Sequence, residues 1–590
     1  MCGIFGYIGK GDARKNIIDG LKRLEYRGYD SWGVAVAVDN EIGASKQVGP
    51  IGKFEDIANL PYANVGIGHT RWATHGGVTE NNAHPHYSTD KRFILAQNGI
   101  VENYQELKKK LIDSGFKFET QTDTEVIVRL IEDKLKDGEL SLAKAVREAF
   151  QDLRGRNTII LLEEAGEHII AVRNGSPLVI GLGKGEVFFA SDTLSFADKT
   201  SQVIYVDNNV MAEYIDGAVK LMDILTGKEI PSVVTTLDKD NIEINKDGFD
   251  HYMLKEIVEQ KHTIREAIQY TKEELGPLTS AIKKAATVYT VGAGTAGFAA
   301  GQIAFYLRKY ANIKAIELKS YEMVSYKGMF TQDDLLIAVS QSGETADTIE
   351  AIEYAKAKGV KIASIVNMIG STISRISDYQ YYSRSGPEIC VASTKAFTAQ
   401  ISWGLLLALS LVNKYDVAVD LIYDLSGKFE KYFTQELFTN IKKLVDVLEK
   451  HEHFFVLGRD QNYYVALEGA LKVKEITYKH FEGFAAGELK HGVIALVDKG
   501  TPVFVISSDD DAKSDMLSAA AQVKARGAFV IGVAKMNNDL YDYFIPTIEA
   551  HEADAIANVI PFQLISYFLG VKLGNDPDKP RNLAKSVTVK

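Results

Sequence analysis

The chain is nearly without cysteine: Cys2 and Cys390 are the two in 590 residues. That excludes a disulfide framework and makes a reducing cytoplasm the expected compartment. Nowhere do cysteine and histidine fall into zinc-ligand spacing. In His84-Pro85-His86 the proline keeps two rings from sharing a helix face, so the segment reads as a loop, and no metal or other cofactor is expected. The N-terminus lacks the basic-then-apolar layout of a leader. The apolar run from Ile401 to Leu409 is too short to span a bilayer and reads as a buried helix. Positive charge is in deficit, 67 Lys and Arg against 78 Asp and Glu, a net −11. Phosphate backbones need concentrated cations, so neither nucleic acid nor a membrane is expected as a partner.

What is present is the composition of a soluble globular protein, 46% hydrophobic and 25% charged, long enough for three or four domains. Up to about Thr226, short β-type runs (Gly33–Val38, Phe93–Ala96, Thr158–Leu162, Val203–Val206) are interrupted by two amphipathic helical stretches, Ala13–Leu24 and Asn103–Asp113. That mixture predicts a layered α+β domain with antiparallel sheets over 1–226. The polar stretch 227–247 reads as a linker.

Beyond it, apolar runs alternate with helical periods, the pattern of βαβ units and parallel sheet. This half also repeats. Val288–Gly292 matches Phe454–Gly458, Leu335–Ser340 matches Val503–Ser507, and the helix ending Lys356-Ala357-Lys358-Gly359 matches the one ending Lys524-Ala525-Arg526-Gly527, at offsets of 166, 167 and 168 residues. Two copies of one α/β domain are predicted, 248–430 and 431–575, with a tail over 576–590. The copies differ chemically. Ser340-Gln341-Ser342-Gly343-Glu344-Thr345 follows the strand in the first, a hydroxyl-rich turn suited to phosphate. Ser507-Ser508-Asp509-Asp510-Asp511 stands there in the second, and its aspartates would repel one.

The most reactive feature is Cys2. Removal of Met1 would leave one residue with a thiol, pKa about 8.5, and a free α-amine, about 7.7–8.0, so that the amine can take the thiol's proton and pass it to a leaving group. Around it, Met1-Cys2-Gly3-Ile4-Phe5-Gly6, His69-Thr70-Arg71-Trp72-Ala73-Thr74-His75-Gly76, Gln97-Asn98-Gly99-Ile100 and Thr122-Asp123-Thr124-Glu125 resemble, in order and spacing, the N-terminal-nucleophile glutamine amidotransferases. The resemblance implies αββα layers and Cys2 as nucleophile. Asn98 and the Gly99 amide would be oxyanion donors. Arg71 would hold the carboxylate of glutamine and Asp123 its ammonium, with Thr74 and His75 shaping the loop and Trp72 gating the ammonia path.

The repeated half resembles the SIS (sugar isomerase) fold, through Ser340–Thr345, Val391-Ala392-Ser393-Thr394-Lys395, Ala466–Glu475, Gly487–Gly492 and Pro580–Thr588. This implies two α/β SIS domains with parallel sheets, and a sugar-phosphate site formed by Thr295, Ser340, Gln341, Ser342, Thr345, Val391, Ser393 and Ala584. Lys585 would form a Schiff base, Glu475 would move a proton beside Lys472, and His491 would assist ring opening from a neighbouring subunit, hence a homodimer. Taken together, the two halves resemble nearly end to end a family of glutamine-dependent amino-sugar synthases, and this resemblance implies glutamine-dependent conversion of fructose 6-phosphate to glucosamine 6-phosphate, the first step of hexosamine synthesis. Where the family usually carries Cys-Gly-Thr-Ser, this chain has Ala293-Gly294-Thr295-Ala296, so the serine that contacts phosphate is missing.

Taken singly, these residues allow plainer readings. Asp123 reads as a helix N-cap, Asn98-Gly99 as a hairpin turn, and Lys472 with Glu475 as an exposed i,i+3 ion pair. His491 reads as a core or loop histidine and Lys585 as a solvated tail charge. A different sugar phosphate, or a sensor without catalysis, is the alternative function.

Overall fold

In the N-terminal half, the two-residue alternation of strand side chains builds the layers. In the strand Gly3–Gly9, Ile4 and Ile8 face inward onto Ile94, Ala96 and Ile160, while Phe5 and Tyr7 face outward onto Ile17 and Leu21 of the helix Ala13–Leu24. The computed structural model describes residues 2–237 and 245–588. They fall into two compact units, Met1–Ile242 with Ser586–Lys590, and Glu243–Lys585.

The N-terminal unit holds two antiparallel sheets. The eight-stranded one runs Thr235–Thr236, Gln202–Tyr205, Val179–Leu182, Glu186–Ala190, Gly3–Gly9, Val65–Arg71, Ser31–Val38, Glu41–Val48. The seven-stranded one runs Glu229–Ile230, Ala218–Asp223, Val210–Ile215, Ile169–Asn174, Asn157–Glu163, Phe93–Gly99, His86–Tyr87. One apolar core lies between the sheets; Ala13–Leu24 covers the first, and Tyr104–Asp113, Thr124–Leu135 and Leu142–Gln151 cover the second, giving αββα layers. Leu142–Gln151 is not among the helical stretches expected from sequence, and Thr124–Leu135 is foreshadowed there only by the cap reading of Asp123. Thr124–Leu135 opens with Val126-Ile127-Val128, all buried, so its apolar residues do not show the stripe of a surface helix. The stretch read as a linker contributes Glu229–Ile230 and Thr235–Thr236 to the two sheets; its residues 238–244 lie outside the described residues.

On the second sheet His168 sits between two carboxylates, Nδ1 at 2.6 Å from Glu163 and Nε2 at 2.8 Å from Glu213. Burial alone would lower its pKa, but these two hydrogen bonds prevail and push it up to about 9. A folded pKa above the unfolded value of about 6.5 means stabilisation that is full below pH ~6.5 and lost as pH rises through ~9. His168→Gln is therefore expected to lower the melting temperature of the N-terminal unit clearly at pH 6 and little at pH 9.5, a difference of at most about 3 kcal/mol. Equal losses at both pH values would contradict the assignment.

The C-terminal unit carries two five-stranded parallel sheets of one topology. The first is ordered Ala315–Lys319, Val288–Gly292, Leu335–Ser340, Lys361–Val366, Tyr379–Tyr382; the second His480–Ala485, His453–Gly458, Pro502–Ser507, Phe529–Ala534, Tyr543–Pro546. The repeat extends to backbone conformation. The helices Gly294–Ala311 and Gln461–Thr477 both end in a left-handed residue, Asn312 (φ 54°) and Tyr478 (φ 61°). After Ala346–Lys356 and Lys513–Lys524 come Gly359 (φ 80°) and Gly527 (φ 87°), followed by matching amide bonds from Val360 to Ala355 and from Ala528 to Val523. Glycine takes that region without a Cβ penalty, which is why the two helix ends read alike in sequence. The run Ile401–Leu409 lies within the helix Lys395–Leu411 and is wholly buried. Residues His551–Lys572 have the length and apolarity of a membrane span, but 89% of that window is buried inside the unit.

Candidate active sites

Strand parity brings the first constellation together. Cys2 shares the inward parity of Ile4, His69 that of Ile67, and Asn98 that of Ala96, so all three project into the space between the two sheets. Cys2 Sγ accepts the Trp72 amide at 3.3 Å, and burial pushes the thiol's pKa up against the pull of nearby positive charge, including Arg71. Trp72 packs edge-on against Tyr29. Asn98 is 1% exposed; its Nδ2 donates to Ser191 Oγ at 2.8 Å, and its Oδ1 lies 3.2 Å from His69 Nε2. Asn98-Gly99 ends the strand Phe93–Gly99 and does not form a hairpin turn. Gly99 has φ 135°, and a Cβ there would stand 2.1 Å from the Arg156 carbonyl, so only glycine lets this amide take its place.

The expected glutamine-binding residues line the same end of the unit. Asp123 is at the N-cap position of Thr124–Leu135 but makes no side-chain capping bond; its Oδ2 accepts the Val101 amide at 2.8 Å, and burial raises its pKa. The plain N-cap reading is thereby set aside. His75 Nδ1 is 3.9 Å from Asp123 Oδ1, and its ring packs on Tyr104. The Arg71 guanidinium is buried and donates to the carbonyls of His75, Gly76 and Gly77, so the loop that carries exposed Thr74 also orients the arginine. His84 and His86 are buried, His84 against His69, and they bond Thr124 and Thr122; His84 and Pro85 lie in the expected loop, and His86 opens the short strand His86–Tyr87. Among the described residues, no group of three or more Cys, His, Asp and Glu could hold a metal ion.

In the C-terminal unit, the turn Ser340–Thr345 wraps the start of the helix Ala346–Lys356. Ser340 Oγ accepts the Gly343 amide at 3.0 Å and lies 3.3 Å from Thr345 Oγ1, while Ser342 Oγ accepts the Glu344 amide. Thr345 occupies the N-cap position without a capping bond. Half-buried Gln341 holds the turn through its carbonyl, which accepts the Asn367 amide. At the corresponding turn of the second copy, Ser508 Oγ already accepts Asn462 and Asn558, and Asp509 pairs with Lys513.

The helix Gln461–Thr477 carries a buried charge row. Lys472 Nζ is 2.5 Å from Glu475 and 3.5 Å from Glu468, and the side chains of Lys472 and Glu468 are 0% exposed. The exposed-pair reading of Lys472 and Glu475 is thus corrected: removing one partner here would strand a buried charge. Burial pushes Glu468 up to about 8 against the pull of Lys472, and the two carboxylates together hold Lys472 above its ordinary range. Thr295 donates to Glu468 at 3.2 Å, tying the first copy's opening helix to this row. Glu468 was not singled out from sequence, although its i, i+4, i+7 spacing with Lys472 and Glu475 is a legible signal.

Lys585 is likewise no solvated tail charge. Its side chain is 3% exposed, ion-paired with Glu388, and donates to the Cys390 carbonyl at 2.7 Å. Glu388 also accepts the Thr394 and Ala396 amides and Ser393 Oγ; burial opposes its ionisation, but Lys585 and these donors hold its pKa below the usual carboxylate range. Glu256 lies beside it, pushed up to about 8 by burial and by the Glu388 charge. Neither glutamate was picked out from sequence, because nothing local links residues 256, 388 and 585. The tail is pinned before it arrives. Asp578 takes the Tyr252 and Met253 amides, its carbonyl takes the Val391 amide at 3.1 Å, and the Tyr478 hydroxyl takes the Arg581 amide. Half-buried Ala584 precedes Lys585, and the chain then continues into the N-terminal unit, where Thr588 bonds Ser176. Cys390 is fully buried, as expected for a small apolar residue. His491 is exposed at the end of a short 3₁₀ turn, so the core reading does not hold.

Comparison with known proteins agrees with this division. A glutamine amidotransferase domain model matches residues 55–230, and a SIS domain model matches 281–410 and 447–571. The chain is 40% identical over 603 residues to a glutamine–fructose-6-phosphate aminotransferase (isomerizing) of Pyrococcus horikoshii, and 38% identical over 618 residues to that of Symbiobacterium thermophilum, covering 100% of both chains in each case. The C-terminal domain of glucosamine-fructose-6-phosphate aminotransferase from Francisella tularensis matches with a TM-score of 0.51 at 31% identity, over 57% of this chain and 100% of that one. With both domain types in order and full-length relatives well above the level of chance, the chain belongs to the glutamine–fructose-6-phosphate aminotransferase (isomerizing) family.

Proposed function

We propose that the chain makes glucosamine 6-phosphate from fructose 6-phosphate and glutamine, and that the two constellations divide the work. The α-amine of a processed Cys2 takes the thiol proton, and sulfur adds to the side-chain amide carbon of glutamine. The oxyanion is met by N–H groups of Asn98 and Gly99. The leaving nitrogen takes the proton as ammonia, and water cleaves the thioester to glutamate. Arg71 and Asp123 hold the two charges of the amino-acid end. In the second unit the Ser340–Thr345 turn and the Ser393 region receive the phosphate, with Gln341 and the Val391 and Ala584 backbone beside it. Lys585 condenses with the C2 ketone, losing water; ammonia displaces the lysine, and Glu475, next to Lys472, carries the C1 proton to C2. His491, exposed on its own chain, would serve ring opening in a partner's site within a cytoplasmic homodimer. Ammonia passes internally, since ammonium in water is no nucleophile.

The observation that carries this reading is Lys585: the end of a chain that matches its relatives along its whole length places a buried amine beside Glu388 in the sugar-phosphate unit. Ala296 lacks the hydroxyl that normally meets phosphate, and Thr295 is engaged with Glu468, so the acceptor sugar is the part to test. Purified protein given glutamine and a panel of ketose and aldose phosphates is expected to release glutamate and glucosamine 6-phosphate one to one. The kcat/KM for fructose 6-phosphate should lead the panel by at least about tenfold, a margin of ~1.4 kcal/mol in transition-state binding. A different favoured acceptor, or sugar binding without amination, would replace this reading.

A further inference from the structure

Asn98 can serve an oxyanion only if its carboxamide is turned the right way, and the two ends of that group look alike in shape. The surroundings decide the matter. His69, 0% exposed, reaches across from the first sheet with Nε2 2.9 Å from the Gln97 carbonyl and 3.2 Å from the Asn98 carboxamide. A backbone carbonyl only accepts, so Nε2 must carry the proton. An N–H there can be met by the Asn98 oxygen and not by its NH₂. On the other end, Ser191 Oγ accepts both the Ile4 amide and Asn98 Nδ2 at 2.8 Å. One Nδ2–H is therefore left for a ligand. His69 Nδ1 has no hydrogen-bond partner, so nothing competes for the tautomer, and burial pushes the ring's pKa down to about 3, which keeps it neutral. Ser191 directly follows the strand Glu186–Ala190, which pairs with Gly3–Gly9, and its amide donates to the Ile4 carbonyl at 3.1 Å, so this support is tied to the strand that starts beside Cys2.

We propose that His69 and Ser191 are positioning residues of the glutaminase, which lock the Asn98 carboxamide so that it offers an N–H, and not its oxygen, to the oxyanion formed at Cys2. The proposal rests on the reading of Cys2 as the nucleophile. A wrongly turned Asn98 would set oxygen against oxygen at the step where charge develops, so the penalty belongs to the transition state and not to substrate binding.

The test uses the full-length enzyme with His69→Phe, His69→Gln, Ser191→Ala, Asn98→Ala and the His69→Phe/Asn98→Ala double variant. Glutamine hydrolysis is measured together with binding of glutamate and of glutamate γ-semialdehyde, whose aldehyde adds the Cys2 thiol and places its oxygen where the oxyanion forms. His69→Phe is expected to lower kcat by about 10²-fold, the scale of one oxyanion donor, with KM and glutamate affinity changed less than ~3-fold and aldehyde affinity falling with kcat. His69→Gln keeps an N–H near the place of Nε2 and should recover to within about tenfold of the parent, and Ser191→Ala should lose about tenfold. In the Asn98→Ala background, His69→Phe should add less than ~3-fold, because its effect runs through the missing carboxamide. Losses that multiply in the double variant, an unchanged kcat in His69→Phe, or loss of glutamate binding together with kcat would each overturn the proposal. A Cys2→Ala enzyme that still hydrolyses glutamine would instead overturn the reading beneath it.

Discussion

Cys2→Ala is expected to lose glutamine-dependent amino-sugar formation by at least about 10³-fold, the order seen when a covalent nucleophile is removed from a working constellation. The argument is local. Cys2 is the residue whose sulfur meets the Trp72 amide and which shares its strand face with Ile4, in the space that Asn98 enters from the opposite sheet. Burial disfavours the thiolate, so the sulfur depends on a base at hand, and the α-amine of the same residue is the one the chemistry offers. Intact mass of active enzyme should therefore show a chain that begins at Cys2. Interconversion of fructose 6-phosphate and glucose 6-phosphate should continue in the alanine variant, since Glu475, Lys472 and Lys585 belong to the other unit. Glutamine-dependent synthesis at the parent rate, or an active enzyme that retains Met1, would refute the role.

Lys585→Ala is expected to lose sugar conversion by a similar factor, at least about 10³-fold, while basal glutamine hydrolysis continues. The amine is buried against Glu388, where it is both oriented and sheltered from water. Its removal need not unfold the site, because Glu388 keeps the Thr394 and Ala396 amides and Ser393 as donors. Borohydride added to the parent enzyme with fructose 6-phosphate reduces a carbon–nitrogen double bond to a stable amine, so a peptide containing Lys585 should gain the mass of the reduced sugar. No such adduct should form in the variant. An adduct on another lysine, or sugar turnover in the alanine variant near the parent rate, would move the role elsewhere.

The parts of this molecule that could be read without coordinates share one property: their signal is local. The repeat is visible because helix ends need residues tolerant of positive φ, as at Gly359 and Gly527. The hydroxyl-rich turn at Ser340–Thr345 and the aspartates of its counterpart differ for a reason written in six neighbouring letters. The parts that escaped are those where distant segments decide. Thr124–Leu135 is covered on nearly every side in its first two turns, so its extent is not written in a periodic stripe and only the cap reading of Asp123 pointed to it. Glu388 and Glu256 gain meaning only when the tail delivers Lys585 beside them. His69 looks like a spectator in His69-Thr70-Arg71 until Asn98 arrives from the other sheet.

Amino-acid order by itself determined the layered antiparallel half and the doubled parallel half, because strand alternation, helix ends and turn chemistry act between near neighbours, while the candidate residues of both chemistries came from the resemblance of whole motifs to known families. Only the tertiary structure decided the state of those residues. Lys472 and Lys585 could have been surface charges, and Asp123 an ordinary cap. Burial made the first two ion-paired groups in low-dielectric surroundings and turned the third toward the Val101 amide. Solvation is a property of everything packed around a side chain, and no stretch of sequence near a residue contains it.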